Sequence, residues 1–391
     1  MDRALAVLQI PQMTLPSPVV ARLSADSLSV TGHAIVYRLF DVGGEIDLEQ
    51  ALGRLASNMP ERVRPARTEA QALRITNPPV SVGLGNEPVT ILGRRTTVEL
   101  SARIFDFGVV SLRARVDAGA GVSWRDFSLF GRAVDAAHEI PELLEQQILL
   151  LVERMAGAIE RPRIADVRED YVVYRLTECH PINGGESPRA AIEKLDLVPL
   201  LLGESRPLSA DAHKEMLPHR FSYYADDLAI LSWDNALIVE PAATDSDVEY
   251  ILEFANAQLL ELRYYDAVLD AELPRLYDRI AQAPFRRGRV FRTGYAQLLA
   301  SMQTLVAETT ELVERAENAL KVTDDVYLAR IYSTALELYR ARTWRTGIDR
   351  KLTIIREAYA MLNGEAQARR AETLELAIIA LIALEIVLSL I

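Results

Sequence analysis

The side chains able to do metal or nucleophile chemistry are few and scattered. The five histidines, His33, His138, His180, His213 and His219, stand singly, and the one cysteine, Cys179, joins them only in the loose group Cys179, His180, His213 and His219. A structural zinc site needs ligands at short paired spacings, which this group lacks, so Cys179 is expected as a small core residue. Gly83-Leu84-Gly85 has neither the third glycine nor the lysine and following helix that a phosphate cradle needs, and reads as a turn. Asp226, Asp227 and Asp234 carry the oxygens a divalent cation would take, yet they bracket a short hairpin, where acidic residues are ordinarily solvated ends. No catalytic, cofactor-binding or metal-binding residue is assigned, and an enzyme with an unrecognised site stays as an alternative.

A different chemistry is offered by Arg286, Arg287, Arg289 and Arg292, interleaved with Phe285 and Phe291. Guanidinium groups bind phosphate bidentately and stack on bases, so this stretch is a candidate contact for the phosphates of RNA or of lipid headgroups. The plainer reading is a solvated helix junction with its phenylalanines packed.

These residues have to be held by something, and the strongest organising element is the last one. Residues 374–391 would form a helix about 27 Å long, just short of a hydrocarbon core of about 30 Å. Leu374, Ile378 and Ile382 share one face, and the other faces are as apolar, which a helix in a water-facing core does not show. Glu385 opposes spanning by about 2.5–3.5 kcal/mol near the bilayer centre. Twelve Leu, Ile and Val outweigh it. Arg369 and Arg370 flank the near end, so the bulk of the chain is expected on the cytoplasmic side of a membrane, a bacterial inner membrane by preference, with residues 370–391 as a single-pass anchor. Glu385 and Ser389 lie one turn apart and predict self-association through the tail, hence a homo-oligomer.

Composition agrees with a folded body on such a tail. The chain has 391 residues, half of them apolar, and a net charge of −12, which argues against a general nucleic-acid-binding surface. One cysteine excludes an internal disulfide framework and suits a reducing compartment. The first eighteen residues show no cleavage-site pattern, so no N-terminal targeting signal is expected. Along the chain, residues 28–40 predict a strand and residues 47–57 a helix. Four β-rich runs then fall within 80–116, and two helices follow, one capped by Ser123 and one starting at Pro141. After Pro162 the order restarts with a strand at 171–177, helical residues 188–202, a hairpin across Asp234-Asn235 and a long helix from Thr244. The fold class is therefore α+β: a two-layer α/β body, with a duplicated strand-helix-strands-helix unit as one plausible reading. Its parts are an N-terminal α/β domain over residues 1–160 and a second over 161–285. Two apolar seams, 298–319 and 328–362, at spacings of four and three predict an antiparallel, coiled-coil-like hairpin over 286–364, ended by Asn363-Gly364.

The C-terminal third resembles the family called required for meiotic nuclear division, otherwise described as a domain of unknown function. The resemblance rests on Tyr327-Leu328-Ala329-Arg330-Ile331, on the helix through Arg350-Lys351-Leu352, and on the terminal apolar run with Glu385 near its end. Phe105-Asp106-Phe107-Gly108-Val109-Val110 is similar to a second feature of that family. Its usual tryptophan ahead of the apolar run is Leu376 here. The resemblance implies a membrane-tethered, non-enzymatic protein whose mitochondrial relatives support organellar translation at the inner membrane. The expected role is a membrane-anchored scaffold or assembly protein presenting its body and helical hairpin to a partner. An RNA- or ribosome-contacting adaptor is the alternative, so the partners are a lipid bilayer, further copies of the chain and a protein or ribonucleoprotein.

Overall fold

Leu28–Asp41 carries apolar residues at both odd and even positions, the pattern of a strand buried on both faces. It forms β1, and the rest of the computed structural model is laid out around it. The structure describes residues 28–58, 60–62, 77–181, 188–204, 206, 208–241, 246–282 and 325–389, with a few residues between 300 and 310. After β1 come α1 (Leu48–Arg54), β2 (Glu61–Arg62), β3 (Val80–Ile91), β4 (Arg94–Ile104), β5 (Val109–Ser123), α2 (Trp124–Asp135) and α3 (Glu139–Met155). Then follow β6 (Arg168–Pro181), α4 (Pro188–Glu193), α5 (Val198–Leu201), α6 (Ala210–Met216), β7 (Arg220–Phe221), β8 (Leu228–Leu231) and β9 (Asn235–Val239). Among the described residues the named helices that close the order are α7 (Asp247–Gln282), α8 (Val326–Leu338) and α9 (Ala341–Ser389).

The fold is α+β, built on one nine-stranded sheet in the order β2-β3-β4-β5-β1-β6-β9-β8-β7. The expected domain boundary at 160/161 falls between α3 and β6, yet β6 pairs antiparallel with β1 along its length, so both halves share the sheet. The halves do not repeat each other's pairing: β1 meets β5 antiparallel, whereas β6 meets β9 parallel. Nor is the body two-layered. Val30, Ala34 and Val36 of β1 join a core with Phe127 of α2 and Leu144 of α3, while Ile35, Tyr37 and Leu39 join a second core with Ile251 of α7 and Ile331 of α8. Helices thus cover both faces.

Two expected strands in the 80–92 region are one, β3, with its register shifted between Gly83 and Gly85. Pro88 lies in the part of it that, among the described residues, pairs with β4 alone, since β2 meets β3 only at Val80 and Ser81. The corner from β4 to β5 needs Gly108: its φ is +93°, and a Cβ there would lie 2.3 Å from the carbonyl oxygen of Gly44. Helix starts follow the local signals, since Asp47 accepts the amides of Glu49 and Gln50, and Ser123 that of Asp126.

The helical third departs from expectation. Residues 286–299 and most of the 298–319 seam lie outside the described residues. The second seam is cut at Arg340, whose φ is +52°, into α8 and α9. Its apolar positions are buried against α7: Ile331 and Ala335 in the second core, and Ile348, Leu352 and Ile355 with Leu262 and Leu269 in a third. Arg263 stacks over Trp344 and Lys351 reaches Asp266 and Asp270, so positions rise together and α7 and α9 run parallel. Arg356 also donates to Thr310 Oγ1 at 3.0 Å, which puts part of the first seam beside α9. Asn363-Gly364 does not stop the helix. Gly364 has helical backbone, and a Cβ there would meet no other atom within 4 Å, so nothing local interrupts α9.

Among the described residues no helix is long and apolar enough to cross a membrane. The physical reason is that the last eighteen of them, 372–389, hold the carboxylates of Glu372, Glu375 and Glu385. Leu390 and Ile391, which complete the expected span, lie outside them.

Candidate functional site

The final helix divides by what it touches. Its first part, through Ile355, is packed on α7. From about residue 360 its described side chains are exposed. Beyond residue 373 all but Glu375 and Glu385 are also apolar: Leu374, Leu376, Ile378, Ile379, Leu381, Ile382, Leu384, Ile386, Val387 and Leu388 are each 52–67% exposed. Leu374, Ile378 and Ile382 stand at successive spacings of four on one face, as expected, with Glu385 adjoining. Glu385 is exposed, and the side chain of Ser389 lies outside the described residues. From Ile355 to Leu374 is nineteen residues, or about 28 Å of straight helix. The apolar end therefore projects from the body as a bare hydrophobic rod. Contiguous exposed apolar surface of this kind marks a membrane or protein contact.

Arg286, Arg287, Arg289 and Arg292 lie outside the described residues. Cys179 is buried, as expected, opposite Val30 in the β1–β6 ladder, and burial pushes its thiol up to about 12. Asp227 is spent on structure, its Oδ1 accepting the amides of Tyr223 and Tyr224 at 2.7 and 3.0 Å. Among the described residues no three His, Cys, Asp or Glu side chains are grouped to hold a metal ion.

A charged layer that sequence reasoning missed lies between the sheet and α7. Side chains two apart on a strand share a face, which sets Ser111 and Arg113 of β5 beside Arg103 of β4 on one side and Tyr37 and His33 of β1 and Arg175 of β6 on the other. Glu249 and Glu253, one turn apart on α7, come down onto them. Arg103 forms a short hydrogen-bonded pair with Glu253, with both side chains nearly sealed from solvent. Arg175 reaches Glu249 at 3.2 Å and Glu240 at 3.8 Å, and Arg113 reaches Glu249 at 3.7 Å. Arg103 also lies over the Tyr250 ring and Arg113 over that of Tyr37, at 4.9 and 5.5 Å. Burial, helped by Arg115 and Arg175, pushes His33 down to about 4, so it is neutral near pH 7. At the far end of the same interface burial pushes Glu169 up to about 7 and outweighs its ion pair with Arg263. The readable signal was Glu249, Glu253 and Glu261 at spacings of four and eight on a helix with apolar residues on its other sides.

These charges fix α7 to the sheet. With the arginines matched to carboxylates and the helix covering them, the layer presents no reacting group to solvent.

A family model described as "Uncharacterized protein MJ0711, N-terminal domain" matches residues 31–246, from β1 to the threshold of α7. The uncharacterized protein MJ0711 of Methanocaldococcus jannaschii is 26% identical over 227 residues, which are 57% of this chain and 66% of that protein. The chain thus covers a little under two thirds of that relative's length. Neither description mentions meiotic nuclear division. No solved structure matches the chain.

Proposed function

The chain belongs to the family of the N-terminal domain of uncharacterized protein MJ0711, and from its own surfaces we propose that it is a non-enzymatic scaffold held at a membrane by the apolar end of α9. The observation that carries this reading is the bare rod, exposed all round and apolar except at Glu375 and Glu385, at the end of a helix whose other end is cemented into the body. A partner protein would have to wrap the rod completely to cover it, whereas lipid covers all sides at once. Residues 374–389 supply about 24 Å of helix for the purpose. Arg369 and Arg370 at its base favour the side of the membrane that keeps positive charge, where the body then stands.

About 28 Å of helix separates Ile355 from the start of the rod. Glu385 supplies the polar site through which tails pair in the bilayer.

Fractionation tests the reading. The full chain is expected in the membrane pellet and to resist alkaline carbonate, and a chain ended at residue 373 is expected in the soluble fraction with an unchanged circular dichroism spectrum, since the rod touches none of the three cores. A full chain released by carbonate, or a shortened chain that unfolds, would contradict it.

A further inference from the structure

Between β7, the last strand of the sheet, and α8 runs a groove of about 580 Å³. Arg220 and His219 line one wall, and Arg330, Ser333 and Thr334, which recur on one face of α8, line the other. Many arginines of this protein meet carboxylates: Arg38, Arg62, Arg103, Arg163, Arg175 and Arg263 each do. Among the described residues neither Arg220 nor Arg330 has such a partner. Arg220 Nε makes only a long contact of 3.4 Å to the Leu217 carbonyl, and Arg330 lies over the Phe221 ring at 5.8 Å. Asp325, at the N-terminus of α8, does not line the groove, and its Oδ1 accepts the amides of Tyr327 and Leu328. In a chain with a net charge of −12, two arginines facing one groove with no acid are a local reversal of sign.

We propose that this groove binds a small phosphate-bearing ligand. The two guanidinium groups take its oxygens, and the Ser333 and Thr334 hydroxyls complete the donor set. Guanidinium forks suit a tetrahedral oxyanion, and the phenylalanine ring beneath Arg330 orients that fork while leaving its N–H groups available. The inference is independent of the membrane reading, since none of these residues lies on the rod.

Calorimetric titration of the full chain in neutral detergent with sodium pyrophosphate tests it. Saturable binding is expected, weakened by about tenfold or more when Arg220→Gln and Arg330→Gln are combined, and unchanged by Arg342→Gln on the exposed side of α9. Ser333→Ala with Thr334→Val, which leaves both arginines in place, should weaken binding by a smaller factor and serves if the double arginine variant loses its circular dichroism signal. A parallel titration with glycerophosphoglycerol, a deacylated lipid headgroup, identifies the source. Comparable binding of this diester assigns the groove to a lipid headgroup, and preference for pyrophosphate assigns it to a soluble phosphate. Absence of saturable binding to either probe, or binding that the arginine and hydroxyl variants leave intact, overturns the proposal.

Discussion

Lys351 ties α9 to α7: its Nζ lies 2.6 Å from a carboxylate oxygen of Asp266 and 2.6 Å from one of Asp270. The contact sits within the third core, between Ile348 and Leu352, and so belongs to the joint that transmits the position of the rod to the body. Such a partly buried ion pair, with only Asp270 largely exposed, is worth little by itself, and Lys351→Ala should lower stability by about 1 kcal/mol. Ile348→Ala opens the apolar part of the same joint and should cost about 2–5 kcal/mol. Denaturant melts in neutral detergent should rank the two in this order, with amide exchange rising first in residues 341–358.

The pair Arg103–Glu253 predicts the opposite balance between charge and packing. Removing one member leaves the other charged in a sealed interface, so Glu253→Ala should destabilise by about 3–5 kcal/mol. Replacing both, as Arg103→Met with Glu253→Leu, should recover most of that loss, because apolar groups of similar volume need no partner. A double variant no more stable than Glu253→Ala would mean that the layer does more than hold α7.

His33 gives the fold an acid-side weakness. Its folded value is pushed down to about 4 while the unfolded imidazole titrates near 6.5, so the unfolded chain binds the extra proton first. The stability it contributes is complete above about pH 6.5 and is lost as pH falls toward 4, by up to about 3 kcal/mol. His33→Gln should remove this part of the dependence, and melts of the two proteins should converge between pH 7 and pH 5. Glu169, pushed up to about 7, runs the other way and loses its contribution as pH rises through that value.

Gly108→Ala should be among the most damaging single-methyl changes. The position combines a φ of +93° with carbonyl oxygens of Gly43 and Gly44 at 2.5 and 2.3 Å from any Cβ. Both the backbone and its neighbour must shift, so a loss of more than about 2 kcal/mol is expected in thermal melts. Gly83→Ala, where a Cβ meets nothing within 4 Å, is the control and should cost less than about 1 kcal/mol.

What could be read from sequence was local. Asp47 and Ser123 announced their helices by capping chemistry, Asp234-Asn235 its hairpin, and the β-branched and aromatic residues of 28–40 their strand. What could not be read depended on partners distant in the chain. Nothing local says that β6 pairs with β1 across more than a hundred residues, and that one pairing merges two expected domains into one sheet. The carboxylates of Glu249 and Glu253 look like a solvated stripe until Arg103, Arg113 and Arg175 arrive from three strands. In the helical third the apolar periodicity was legible but its partner was not: a seam says that it is buried, and α7 could not be told from residues 298–319. Gly364 reads as a stop because it lacks a side chain, but with no packing or cap to exploit it the helix runs on.

The most direct test of the membrane account is the water accessibility of the rod. Cys179, the only cysteine, is buried with its thiol pushed up to about 12, so a newly placed cysteine is the one reactive thiol. Leu381→Cys on the rod and Arg350→Cys on the exposed side of the same helix should be treated with a membrane-impermeant maleimide in sonicated membranes, where both faces are open. Arg350→Cys is expected to label quickly, and Leu381→Cys only after the lipid is dissolved. Equal labelling of both in intact membranes would contradict insertion of the apolar end of α9 in the bilayer.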